Sequence, residues 1–268
     1  MIKSEMYRIF KSRKGKISIS LILAIPFLDF ILHVYEDVIF YGDYDKLRFG
    51  LHRFCHPAYA SFLCGSSIGN FLQISFFWML PLYFLILYSD SYITDQKYGY
   101  DVCLISRIGK KEYFKNKFKI AFGFTFIIVL VSFTFNLLCN IIAFHGGHNF
   151  RGYEQFWETM DSWFIWGYKN PYIYYPIYMV VDAFLCALSS ILGLCCCILF
   201  NNYYVAYPVA FFVWLTQIIL PFGAGRSVQP YTEYGLSYFI IGTACFTVIV
   251  LFIFAVTYFL KVKKDELS

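Results

Sequence analysis

Six long apolar runs dominate this 268-residue chain, and not one of its 22 Lys and Arg residues lies inside them. The runs are Ile17–His33, Ile68–Tyr88, Ile120–Phe144, Pro176–Phe200, Tyr203–Leu220 and Leu236–Leu260. Each has roughly the length needed to cross a hydrocarbon core about 30 Å thick at about 1.5 Å per residue. The expected fold is an all-α polytopic membrane protein, a single transmembrane domain over residues 1–268 with six transmembrane helices.

The basic residues are unevenly spread, and the unevenness sets the orientation. Segments 1–16, 89–119 and 261–268 hold sixteen of them, while segments 34–67, 145–175 and 221–235 hold six. Basic residues resist translocation, so the first set is expected in the cytoplasm and both termini with it. The net charge of +5 reflects this distribution and anionic lipid head groups. No basic cluster has a soluble fold behind it, so nucleic acid is not expected as a partner. With 59% hydrophobic and 15% charged residues and a mean hydropathy of +0.59, the chain leaves no room for a separate soluble catalytic domain.

The start of the chain has a basic region and an apolar stretch, but Phe30–Tyr35 offers no small-x-small cleavage site, so the first run is read as a retained span. Residues 1–14 read as an amphipathic surface helix, with Ile2, Met6, Ile9 and Phe10 at helical spacing among basic residues. Gly15 is expected to end it. In the long segment 89–119, Gly109 followed by Glu112 reads as a helix start with a capping glutamate. Outside, Tyr153–Gly167 reads as a second amphipathic helix carrying Trp157, Trp163 and Trp166. Pro221–Gly235 is expected to dip partly back into the membrane.

Little catalytic chemistry is visible. There is no phosphate loop and no HExxH pair. Gly65–Gly69 matches GxSxG outside the strand–turn–helix setting that such a serine needs. Cys55 and Cys64 share the first external loop and either pair or serve as small apolar residues. His52, Cys55, His56, His145 and His148 make a transition-metal site if two external loops meet, and otherwise are polar loop residues. Only two acids, Asp29 and Asp182, fall inside the runs. Such groups line a substrate path, or reach head groups or stay protonated. Glu158 and Asp161 on the external helix extend the same negative, aromatic surface. Asn70, Gln73, Asn136, Asn140 and Gln217 read as interhelical hydrogen-bonding residues.

One local pattern goes further. Asp90, Asp95, Gly99-Tyr100, Leu104-Ile105-Ser106-Arg107, Gly109-Lys110-Lys111-Glu112-Tyr113 and Lys117 follow one another between the second and third runs. With the N-terminal surface helix, the six spans and the large first external loop, this pattern resembles the membrane subunit of an ABC transporter of the type-2 exporter class. The resemblance implies a coupling helix between spans 2 and 3 that docks on a separate ATPase subunit. It implies docking through Asp95, Gly99, Tyr100, Leu104 and Arg107, and a following helix held at the membrane surface by Lys110, Lys111, Lys115 and Lys117. The chain itself would hold no cofactor; ATP and Mg would belong to the partner. A second membrane subunit, identical or paralogous, would complete the path.

The cargo expected from the negative outer surface is an amphipathic, cationic peptide or lipid-like molecule. The setting expected is a bacterial cytoplasmic membrane. The competing readings are a secondary transporter or channel, and an intramembrane enzyme using Asp29 and Asp182.

Overall fold

The computed structural model describes residues 2–40, 55–64, 70–150, 161–232 and 234–263. Its regular elements are helical. A short surface helix, α1 (Ile2–Lys11), meets α2 (Arg13–Val34) at a tight elbow. The break falls at Ser12, whose Oγ accepts from the Gly15 N–H at 2.9 Å, and not at Gly15 itself. Gly15 is needed because a Cβ there would sit 2.2 Å from the Ile9 carbonyl oxygen.

The second run is bent where a straight span was expected. α3 (Phe71–Trp78) and α4 (Leu80–Phe84) belong to two helical stretches that meet at 62° across Met79. Pro81 accounts for the break: it has no N–H to give to Phe77 and crowds the preceding turn. The chain continues through a turn of π-helix at Leu85–Ser89 into α5 (Ser91–Lys97) and α6 (Tyr100–Ile108). Gly109, at φ +81°, then starts the long α7 (Lys110–Ala143). Its Glu112 does not cap that start but pairs with Lys115 at 3.0 Å.

α8 (Ser162–Lys169) falls partly within the helix expected over Tyr153–Gly167; it starts after an extended Asp161, and residues 153–160 lie outside the described residues. α9 (Pro171–Phe200) is the centre of the bundle, packed against α4, α7 and two later helices, α10 (Tyr203–Ile219) and α11 (Leu236–Tyr258). Its small residues Ala183, Cys186, Ala187, Ser189, Ser190, Gly193 and Cys195–Cys197 are all buried and allow close approach of its neighbours.

Four helices are long and apolar enough to cross a membrane, or five if the bent pair is one span. The fifth run forms the shorter α10, whose 17 residues extend about 25 Å at 1.5 Å per residue. It stops because Leu220, followed by Pro221, is extended. Residues 221–232 carry a single 3-10 turn, Ala224–Arg226, that packs on α11.

Candidate functional site

Side-chain chemistry gathers at the two ends of the bundle. At the end that holds α1, a buried ion network ties three elements together. Lys117, 0% exposed, reaches Asp95 at 2.5 Å, Ser91 at 2.9 Å and Glu5 at 3.4 Å. Arg8 bridges the same two acids, at 2.8 Å to Glu5 and 2.6 Å to Asp95. The Tyr88 hydroxyl donates to Glu5 at 3.2 Å, and its ring lies under the Lys117 ammonium. Two cations on two carboxylates leave the cluster neutral, which is what burial requires of it. A second pair lies beside it: Lys14 meets Asp90 at 2.6 Å, and Tyr207 donates to the same oxygen at 3.1 Å. A cleft of about 630 Å³ opens between α1 and α5, bordered by Lys11, Lys97, Tyr98 and Tyr203.

These contacts change two expectations. Lys117 is not at the membrane surface, because its ammonium is held inside by carboxylates of α1 and α5. Asp95 is buried and committed to Arg8 and Lys117, so it is not presented to a partner. Gly99 and Arg107 are exposed, Tyr100 and Leu104 are half-buried, and Arg8 stacks on the Tyr100 ring. Lys111 and Lys115 are exposed and Lys110 half-buried. The α5–α6 hairpin shows apolar side chains outward, with Tyr98 77% and Val102 67% exposed.

At the other end, the first loop is not simply external. Residues 55–64 are tucked among the helices, with Ala58, Ala60, Phe62 and Leu63 fully buried. Side chains satisfy the irregular backbone there. Asn136 accepts from the Phe62 N–H at 3.0 Å, Tyr175 from the Leu63 N–H at 3.3 Å, and Gln73 donates to the Leu63 carbonyl. Non-helical backbone at membrane depth survives only where protein satisfies it in this way. Around this plug stands an aromatic layer. Trp163 stacks on Trp166, the Trp163 N–H donates to Tyr178, and Tyr174, Tyr231 and Phe239 pack beside them.

Asp29 and Asp182, the two acids inside the apolar runs, are both 0% exposed. Neither oxygen of Asp182 has a hydrogen-bond partner among the described residues. Asp161 is exposed and accepts from the Leu236 N–H at 3.2 Å, capping the start of α11. Glu158 and His52 lie outside the described residues. His56 turns toward Phe150 and Tyr172, and its Nδ1 accepts from the Ala58 N–H at 3.2 Å. Burial, and then the neighbouring His148, pushes the His56 imidazole down to about 4. His145 and His148 are exposed. Among the described residues, Cys55 shares a candidate ligand group not with His56, His145 or His148 but with His33 and Asp37. Cys55 and Cys64 are free thiols.

The residues that sequence reasoning missed are Glu5, Arg8 and His33. Glu5 had one visible signal: it is the sole acid of α1 and shares a helical face with Ile9, four residues on.

Fold and site define an all-helical protein whose apolar helices are long enough to cross a membrane. The chain is 30% identical over 234 residues to the "Uncharacterized protein YybM" of Bacillus subtilis (strain 168), covering 87% of each chain, and belongs to the same family. No family model and no solved structure matches it.

Proposed function

We propose that the chain is the membrane subunit of a type-2 ABC exporter, driven by a separate ATPase subunit that binds ATP and Mg. In this reading six helices span a bacterial cytoplasmic membrane, with both termini inside. The observation that carries it is the network in which buried Lys117, Asp95 and Glu5 are joined by the partly exposed Arg8. It fastens α1 and α5 to the start of α7, while the adjoining α6 presents Val102 and Arg107 outward. A short helix held rigidly to a long one can turn a push from a partner into tilt of the bundle. A second membrane subunit, identical or paralogous, completes the path. The cargo is an amphipathic, cationic peptide or lipid-like molecule; the aromatic layer around Trp163, Trp166 and Tyr231 supports an amphipathic one.

The test is affinity purification of the tagged chain with its native neighbours, followed by mass spectrometry. A stoichiometric ATPase is expected, and it is lost when residues 99–107 become a Gly/Ser stretch of equal length. That replacement spares Glu5, Asp95 and Lys117, so the network should persist. A folded chain that purifies alone overturns the proposal.

A second reading has one observation in its favour. Asp182 is fully buried with both oxygens unpartnered among the described residues, which suits a proton- or cation-coupled transporter. Transport that continues without nucleotide and stops in Asp182→Asn would select it.

A further inference from the structure

We infer that the outer end of α2 and the plug form a binding site for one divalent transition-metal ion of the zinc class, held by His33, Asp37 and Cys55. One ligand atom from each of the three lies within 4.8 Å of the others. His33 Nε2 and the Asp37 carboxylate are already 3.6 Å apart. Tetrahedral zinc with bonds of about 2.0–2.3 Å sets its ligand atoms roughly 3.3–3.7 Å from one another. Closing the remaining gap takes a side-chain movement of about 1 Å.

The donor set suits such an ion. An imidazole, a carboxylate and a thiolate are a borderline-soft combination that zinc takes and that magnesium and calcium do not. A thiolate and a carboxylate also cancel the two positive charges, so the loaded site is neutral where His33 and Cys55 are buried. On binding, the Cys55 thiol gives up its proton to solvent and its sulfur bonds the metal. No oxidant or reductant is required.

The scaffold holds the three positions from two directions. His33 and Asp37 are four residues apart, where α2 widens into the turn of π-helix Tyr35–Phe40. Cys55 is fixed by a bridge to Asn149, continued by the His56 N–H donating to the Asn149 carbonyl at 2.9 Å. Phe144 covers the cluster, with its ring 5.2 Å from His33. Metal would thus staple the plug to the first long helix. This assignment is independent of the transport reading.

The test uses the full-length chain purified in detergent with its thiols reduced. It is equilibrated with Zn²⁺ against a competing chelator, and bound metal is counted. One Zn²⁺ per chain is expected, with affinity falling at least about tenfold in Cys55→Ser and His33→Asn. Cys64→Ser and Cys103→Ser should bind as the wild type does. Co²⁺ in the unmutated protein should give a thiolate-to-metal charge-transfer band in the near ultraviolet, a readout that does not depend on the variants folding. Absence of that band, absence of stoichiometric metal, or a band that survives Cys55→Ser overturns the proposal.

Discussion

Trp214 donates its indole N–H to the carbonyl of Phe77 at 2.6 Å, and Phe77 lies four residues before Pro81. That is the carbonyl Pro81 has no N–H to serve. The same arrangement recurs on α2. Pro26 leaves the Ile22 carbonyl open, and Ser132 of α7 donates to it at 2.8 Å. In both cases a proline break within one helix is turned into a contact with another, as a backbone shielded from water requires.

Trp214→Phe should therefore destabilise by about 1–3 kcal/mol, because it strands the Phe77 carbonyl in addition to losing contacts. Adding Pro81→Ala supplies an N–H for that carbonyl and should recover part of the loss. Thermal unfolding of the detergent-solubilised single and double variants measures both. Strictly additive losses would mean that the indole N–H and the proline are not coupled.

Lys117→Met should cost about 3–5 kcal/mol, since it leaves Glu5 and Asp95 buried with less than their full counter-charge. Lys117→Met with Glu5→Gln should cost less than Lys117→Met alone. The local readout is α1 itself. Limited proteolysis within residues 2–11 should be faster in the single variant and slower again in the double.

The six hydropathic runs were legible because burial in an apolar medium is additive along a helix, and each run has a described helix over most of its length. The bend at Met79 was half-legible: Pro81 was visible in the run, but the partner that makes a bend tolerable, Trp214, is far away in sequence. The plug was hidden by its shortness. Cys55–Cys64 is largely apolar but only about half a span long, so it reads as loop. Gln73 and Asn136 were visible as hydrogen-bonding residues in spans, yet their partners are backbone groups of the plug as well as neighbouring helices. Lys117 was misread for a related reason. Basic residues near span ends usually face lipid phosphates, and nothing in local spacing shows that two acids, one of them 112 residues away, wait for this one.

Asp182→Leu should raise thermal stability, because it removes a fully buried carboxyl group. Both of its oxygens lack hydrogen bonds among the described residues, and a leucine of similar size there buries no polar group. The expected gain is roughly 1–2 kcal/mol, read as a higher unfolding midpoint. Tyr175→Phe makes the contrast: its hydroxyl accepts from the Leu63 N–H, so its loss should lower the midpoint.

Asn136→Leu should loosen the plug without unfolding the bundle. Its Oδ1 accepts from the Phe62 N–H at 3.0 Å, and its Nδ2 donates to the Pro26 carbonyl at 2.7 Å, so one side chain ties the plug, α2 and α7 together. Leucine fills a similar volume but leaves the buried Phe62 N–H unserved, at about 1–3 kcal/mol. Every 1.4 kcal/mol lost locally raises the open population about tenfold. Cys55 is buried against Phe144 and should label slowly in the parent chain. After chelator treatment to remove any bound metal, a thiol reagent should reach Cys55 about tenfold faster in Asn136→Leu, with the site located by peptide mass spectrometry. Cys103, exposed on α6 at the far end, should label at an unchanged rate. Equal acceleration at both cysteines would mean that the variant opens the whole bundle and that Asn136 does not hold the plug by itself.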